Sequence, residues 1–282
     1  MGVCIVSLTV GCAFTPPETI GEVPSATTLP PASIDLVTPT PPPADVVPTE
    51  PTPTEPTPSV TPSAAPEAPA KVNCKKQKCV ALTIDDGPSP LSDKVLDILA
   101  AKDVKATFFV MGSRVKQYPK AVKRMGAEGH SVQNHSYSHP QFWKMSADQI
   151  RSQLQRTNKL VKQQTGQQPT LFRPPYGQTN ATIRKVGKEL GMAQVLWNVD
   201  PNDWKDKDAN TVVKRVLSGV KPGSIVLTHG LYPSTLEAYP IIIDKLRAKG
   251  YAFVSIPELV GKTPKPGANY SSGVKPKAKA KS

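Results

Sequence analysis

Histidine is scarce in this 282-residue chain: there are four, and two of them, His135 and His139, stand four residues apart. Cysteine is equally scarce, with four residues in two pairs, Cys4/Cys12 and Cys74/Cys79. The first 70 residues contain no lysine or arginine, although the whole chain carries a formal charge of +13. Beyond the N-terminal segment no stretch is apolar for long enough to span a bilayer. Neither zinc-finger spacing nor an aromatic-rich RNA-binding pattern is present, so no nucleic-acid partner is expected.

What is present divides the chain into unequal parts. Residues 1–70 hold seven acidic side chains and 17 of the 32 prolines. Within them, residues 13–70 read as a Pro/Thr-rich disordered linker. Such a run cannot build a core and favours extended polyproline geometry. At about 3 Å per residue it would reach well over 100 Å, which suits a tether. Residues 262–282 contain six lysines and no acid and read as a disordered basic tail. Between these, residues 71–261 are long enough for one substantial core, and nothing suggests a second. Without the first 70 residues the chain carries +20, which attracts polyanions such as an acidic wall polymer. Solvated lysines on a secreted enzyme explain the same charge.

Gly2 to Val10 is apolar but short, with no basic residue before it. Residues 1–12 read as an export signal or the remnant of a lipoprotein signal. Leu8-Thr9-Val10-Gly11-Cys12 resembles a bacterial lipobox with Thr9 where leucine is usual, making Cys12 a candidate lipid anchor. Cys74 and Cys79 flank four residues, a loop able to bring their Cβ atoms within bridging distance. In an oxidising compartment they are expected to pair, the alternative being two free thiols.

The core reads as alternating strands and helices, starting with the apolar run Val80-Ala81-Leu82-Thr83-Ile84. Repeated βα units imply parallel strands covered by helices. About seven units give a distorted (β/α) barrel, in which chemistry sits on loops following the strands. Ser146 with Gln149 reads as a capping box opening a long helix to Thr165.

Every candidate motif follows a strand. Asp85-Asp86-Gly87-Pro88 places two carboxylates at a strand end, one able to hold a metal while the other handles a proton; a turn or capping role is the alternative. His135 and His139, on a helical turn, would face one side, and neutral imidazoles suit Zn²⁺. His130 reads as structural. In Arg173-Pro174-Pro175-Tyr176-Gly177 the prolines stiffen a turn. The Tyr176 amide becomes a candidate oxyanion donor, and Arg173 can orient a carboxylate by a bidentate bond. In Asp200-Pro201-Asn202-Asp203-Trp204 an acid can raise an imidazole's pKa and a tryptophan can face a sugar. Leu227-Thr228-His229 ends a later apolar strand, placing His229 to protonate a leaving group and Leu227 to line an acyl pocket. Phe142 and Trp143 line a glycan groove or pack in the core.

Together these five ordered motifs resemble the polysaccharide deacetylases with NodB homology, carbohydrate esterase family 4, over about residues 78–260. The resemblance implies an irregular (β/α) barrel and one divalent metal, usually zinc, with Co²⁺, Ni²⁺ or Mn²⁺ as substitutes. It implies Asp85 as general base, Asp86, His135 and His139 as metal ligands, and Arg173 holding Asp85. It further implies Asp203 paired with a general acid, His229, an oxyanion N–H from Tyr176, and Trp204 and Leu227 around the acetyl group. Two departures stand out: Ile84 where phenylalanine is commonest, and Gly230 where an aspartate often follows the last motif histidine.

The expected reaction is hydrolytic N-deacetylation of N-acetylglucosamine in a wall polysaccharide, peptidoglycan first. Chitin or its oligosaccharides, acetylxylan, and a non-catalytic glycan-binding role are the alternatives. The chain is expected to be a monomer, exported and wall-associated, with contacts to anionic wall polymer.

Overall fold

The computed structural model describes residues 72–261 and 263–273. The expected signal, the Cys12 anchor and the Pro/Thr linker all lie outside these residues.

The chain alternates strand and helix. β1 (Lys78–Asp85) is followed by α1 (Ser92–Ala101), β2 (Thr107–Val110), α2 (Gly112–Gln117), α3 (Pro119–Ala127) and β3 (Ser131–Asn134). Next come α4 (Ala147–Thr165), β4 (Leu171–Phe172), α5 (Ala181–Glu189), β5 (Ala193–Val195), α6 (Asp203–Asp206) and α7 (Ala209–Gly219). The last elements are β6 (Ser224–His229), α8 (Pro233–Ala248), β7 (Tyr251–Phe253), α9 (Ile256–Leu259) and β8 (Asn269–Tyr270).

The strands form one curled sheet in the order β6-β1-β2-β3-β4-β5-β8, with β7 beside the start of β1. Every strand pair is parallel. Beyond β5 the chain returns to β6 through a single parallel bridge, Val199 to Val226, so the barrel nearly closes. Asn198 helps there, accepting the Ile225 N–H at 2.8 Å. This is the distorted (β/α) barrel expected from the alternation.

Side-chain alternation along the strands explains what points inward. Val80, Leu82 and Ile84 pack under the helical layer with Leu96 and Leu99 of α1 and Ile243 and Leu246 of α8. The intervening Ala81 joins Phe109, Leu171, Val195 and Ile225, one or more from each of five strands, in a separate cluster inside the barrel. Successive residues of a strand face opposite sides. The inward rows therefore run from Ala81 to Asp85, from Leu171 to Arg173 and from Ile225 through Leu227 to His229. Each row ends on a polar residue at the C-terminal rim.

Pro119 starts a new helix at its own N1 position, so α2 and α3 are separate. Two expectations are corrected. Residues 262–282 were expected to be a disordered tail, yet β8 pairs with β5 through Asn269 and Tyr270. Second, His135 to His139 is not helical. Asn134 Oδ1 accepts the Ser136 N–H at 2.8 Å, and Ser136 Oγ accepts the His139 N–H at 2.9 Å. Gln153 Oε1 on α4 accepts from the N–H groups of Tyr137 (2.8 Å) and Ser138 (3.0 Å). Side chains thus take the donors a helix would use, and Ser136 and His139 sit at φ 67° and 58°.

The capping box of α4 is formed, with Ser146 and Gln149 each bonding the other's backbone N–H. The structure pairs Cys74 with Cys79 in a disulfide, Cα atoms 5.4 Å apart, at the entry to β1.

Candidate functional site

Strand register gathers the rim residues. Asp85 of β1 pairs in register with His229 of β6 and with Phe109 of β2. His135 continues β3, its N–H bonded to the Val110 carbonyl at 2.9 Å, and the Arg173 N–H reaches the Asn134 carbonyl at the same distance. A cavity of about 410 Å³ opens above them, lined by Asp85, Asp86, His135, His139, Tyr176, Trp204, Leu227 and His229, among others. Eight of the ten site residues expected from the sequence, disulfide aside, thus meet in one cavity. The other two, Arg173 and Asp203, are fully buried behind it.

Arg173 holds Asp85 by one contact, Nη1 to Oδ1 at 2.6 Å. The expected bidentate bond is absent, and each guanidinium nitrogen has another partner. Nη1 also reaches Thr83 Oγ1 (2.8 Å), Nη2 donates to the Leu196 carbonyl (3.1 Å) and Nε to the Val195 carbonyl (3.3 Å). The guanidinium lies 4.2 Å over the Phe109 ring. A buried charge so fully satisfied has one orientation, and so does the carboxylate it pairs.

Opposite, Asp203 Oδ1 contacts His229 Nδ1 at 2.8 Å, while Oδ2 accepts the His229 N–H (2.7 Å) and Thr235 Oγ1 (2.9 Å). Burial works against protonation of His229. The hydrogen bond to Asp203 and the charges of Asp203, Asp85 and Asp86 outweigh it, and the imidazole is pushed up to about 9.

Beside these two groups, lining the same cavity, stand Asp86, His135 and His139. Their candidate ligand atoms lie within 4.8 Å of one another, the one such cluster among the described residues. Asp86 Oδ1 is buried without a hydrogen bond of good geometry, 3.3 Å from His135 Nε2 and 3.4 Å from His139 Nε2. His135 Nδ1 donates to the Arg173 carbonyl at 2.8 Å, which turns the Nε2 lone pair toward the cluster when the ring is neutral. Three electron-pair donors facing one point, one of them an orphaned buried oxygen, fit a cation. Without it, burial raises the Asp86 carboxyl, but contact with His135 and the charges of both imidazoles hold it well below the usual carboxylate range.

The sequence pattern that defines the polysaccharide deacetylases matches residues 72–195. The chain is 34% identical over 194 residues to a chitooligosaccharide deacetylase of Rhizobium leguminosarum bv. trifolii, covering 64% of this chain and 90% of that protein. It belongs to the polysaccharide deacetylase family. Another relative in sequence is the peptidoglycan-N-acetylglucosamine deacetylase PgdA of Listeria monocytogenes, 44% identical over 206 residues. That match covers 73% of this chain but only 43% of the Listeria protein, so the chain spans less than half of that relative. Among solved structures, a family 4 carbohydrate esterase from Streptomyces lividans in complex with acetate superposes with a TM-score of 0.63 at 36% identity. The superposition covers 67% of this chain and 98% of that one.

Several residues of this deacetylase domain escaped sequence reasoning. Tyr232, Trp197 and Gly177 line the cavity. Gly177 has a usable signal: a Cβ there would lie 2.6 Å from the Trp197 ring, and its φ is +66°, so only glycine lets that indole close the wall. Thr83 and Gln153, which fix Arg173 and the histidine loop, carried no signal short of three-dimensional contact. His130 lies off the site, buried, its Nδ1 accepting the Ala106 N–H at 3.2 Å.

Proposed function

We propose that this domain hydrolyses the acetamide of N-acetylglucosamine units in a wall glycan, peptidoglycan first, releasing acetate and leaving glucosamine. The observation that carries this is the pairing of Asp85 and His229 in one cavity with the three-donor cluster, each anchored from behind by its own buried counter-group.

Asp86, His135 and His139 would hold a divalent cation, zinc in our reading. When bound it supplies Lewis acidity, acidifying water and polarising the acetamide carbonyl. Asp85 accepts a proton from water as the water oxygen adds to the carbonyl carbon. Arg173 keeps Asp85 in position. The Tyr176 N–H is offered to the developing oxyanion; among the described residues none accepts from it. His229 gives its proton to the amide nitrogen as the C–N bond breaks, because an amine leaves poorly unless protonated. Asp203 holds His229 in the tautomer and charge state for this. Leu227, nearly buried, and Trp204, half exposed, bound the space for the acetyl methyl.

The names of the Listeria and Rhizobium relatives support acetylated amino sugars as substrate, and the former favours peptidoglycan. Export, attachment through Cys12 and contact between the basic surface and anionic wall polymer complete the reading. No described helix is long and apolar enough to cross a membrane. The deciding experiment compares acetate release from peptidoglycan, N-acetylglucosamine oligomers and acetylxylan, with mass spectrometry of the products. Loss of acetyl from peptidoglycan glucosamine is expected. No acetate from any of them after metal loading would leave a glycan-binding protein instead.

A further inference from the structure

The chain has three tryptophans, and all three stand at this site. Trp197 and Trp204 line the cavity. Trp143 lies just outside it, in the 3-10 turn Phe142–Lys144 between the histidine loop and α4. Its neighbour Phe142 is fully buried in the small core formed with Ile150, Leu154 and Phe172. That anchor fixes the turn and sets the next side chain about 120° round from it. Trp143 belongs to none of the core clusters and is 38% exposed.

Its ring contacts Tyr176, centroids 5.7 Å apart and planes at 78°, and Tyr176 in turn meets His139 at 4.7 Å and 64°. The rings of His139, Tyr176 and Trp143 therefore form a continuous line leading from the metal-type donors to the protein surface. Tyr176 is held at φ 61°, a strained backbone for an aromatic residue, which keeps its ring in this line. A large aromatic left open to water at a binding cleft loses apolar burial that the fold does not recover, unless a ligand covers it.

We propose that Trp143 is a sugar-binding platform for a pyranose one or more units along the chain from the one being deacetylated, on the Tyr176 side. The inference rests on the deacetylase reading and adds to it a length requirement: affinity increases once the glycan is long enough to cover Trp143. The occupant is a sugar of the substrate chain because the surface is continuous with the cavity that takes the acetyl group. Pyranose rings offer the apolar C–H face that an indole accepts, and a polymer bound in the cavity must leave it along some part of the rim.

The test uses metal-loaded wild type, W143F and W143L. KM and kcat for acetate release are measured on N-acetylglucosamine oligomers of two to six units, and in parallel on muropeptides of two and of four or more sugars. Tryptophan fluorescence titration with each ligand reads binding independently of turnover. Wild type is expected to bind long oligomers more tightly than dimers. W143L should raise KM for the long substrates by about tenfold, kcat staying within about twofold and dimers unaffected, while W143F recovers most of the loss. Equal effects on dimers and hexamers, no effect of W143L, or a fall confined to kcat would overturn the platform. Absence of acetate from every substrate would instead overturn the deacetylase reading, and the length dependence in the fluorescence titration would still decide the role of Trp143.

Discussion

Asp85 and His229 are register partners at the ends of two adjacent parallel strands, and each is held from behind by a buried residue of opposite charge. Neighbouring strands thus set the spacing of the proposed base and acid, and no flexible loop intervenes.

Because the two groups handle different protons, losing either should stop turnover without emptying the metal site. D85N and H229A are each expected to lower kcat by about 10²–10⁴-fold in acetate release. Metal content after dialysis should stay near that of wild type. Near-normal rates in both variants would remove the acid–base assignment.

His229 is pushed up to about 9 in the folded protein, against about 6.5 for an ordinary histidine. A raised folded pKa means the imidazolium stabilises the metal-free protein fully below pH 6.5. That contribution fades as pH rises through 9. In D203N the group loses its main partner, so its titration, followed by NMR, should move down toward the ordinary value. The alkaline limb of activity should shift to lower pH with it, since the proposed acid works only when protonated. An unchanged titration in D203N would show that Asp203 does not set it.

Gln153 holds the Tyr137 and Ser138 amides between the two histidines. Its removal should loosen the ligands without touching them. Q153A is expected to weaken zinc binding by about 10–100-fold, typical of groups that orient ligands from behind, with thermal stability of the metal-free protein little changed. Competition against a chromogenic chelator measures this. In wild type, zinc binding should release a proton from His135, which, despite burial, the carboxylates of Asp85 and Asp86 favour in its charged form, and calorimetry in buffers of different ionisation enthalpy reads this directly. Unaltered affinity in Q153A would make the contact purely structural.

Gly187 lies inside α5, where alanine is favoured by up to about 1 kcal/mol. A Cβ there would come within 2.3 Å of the buried Phe172 ring. Overpacking a closed core costs about 1–3 kcal/mol, so the clash should win and G187A should lower the melting temperature. A stabilised G187A would show that the ring can move aside.

Much of the site was readable because the rim motifs are local. Asp85-Asp86 follows an apolar run, His135 and His139 stand close together, and Tyr176 sits in a proline-stiffened turn; short-range sequence carries each of these. The break between α2 and α3 is equally local, set by Pro119 at the start of α3. The loop between the histidines was not readable, because Asn134, Ser136 and Gln153 override local helical spacing through bonds that need α4 in place. Tyr232 was missed for the same reason, since only the start of α8 brings it to the cavity beside His229.

By itself the sequence determined the alternation of strands and helices, the barrel they build and the residue types on its rim. Hydrophobic period and turn chemistry are local properties, and inward-facing rows follow from them. Tertiary structure alone decided which groups face one another. It brought Arg173 to Asp85 across 88 positions of chain and Asp203 to His229 across 26. It also separated Phe142, buried, from Trp143, left open beside Tyr176. Those choices depend on strand register and on how helices pack over the sheet, and neither is encoded in any single stretch of chain.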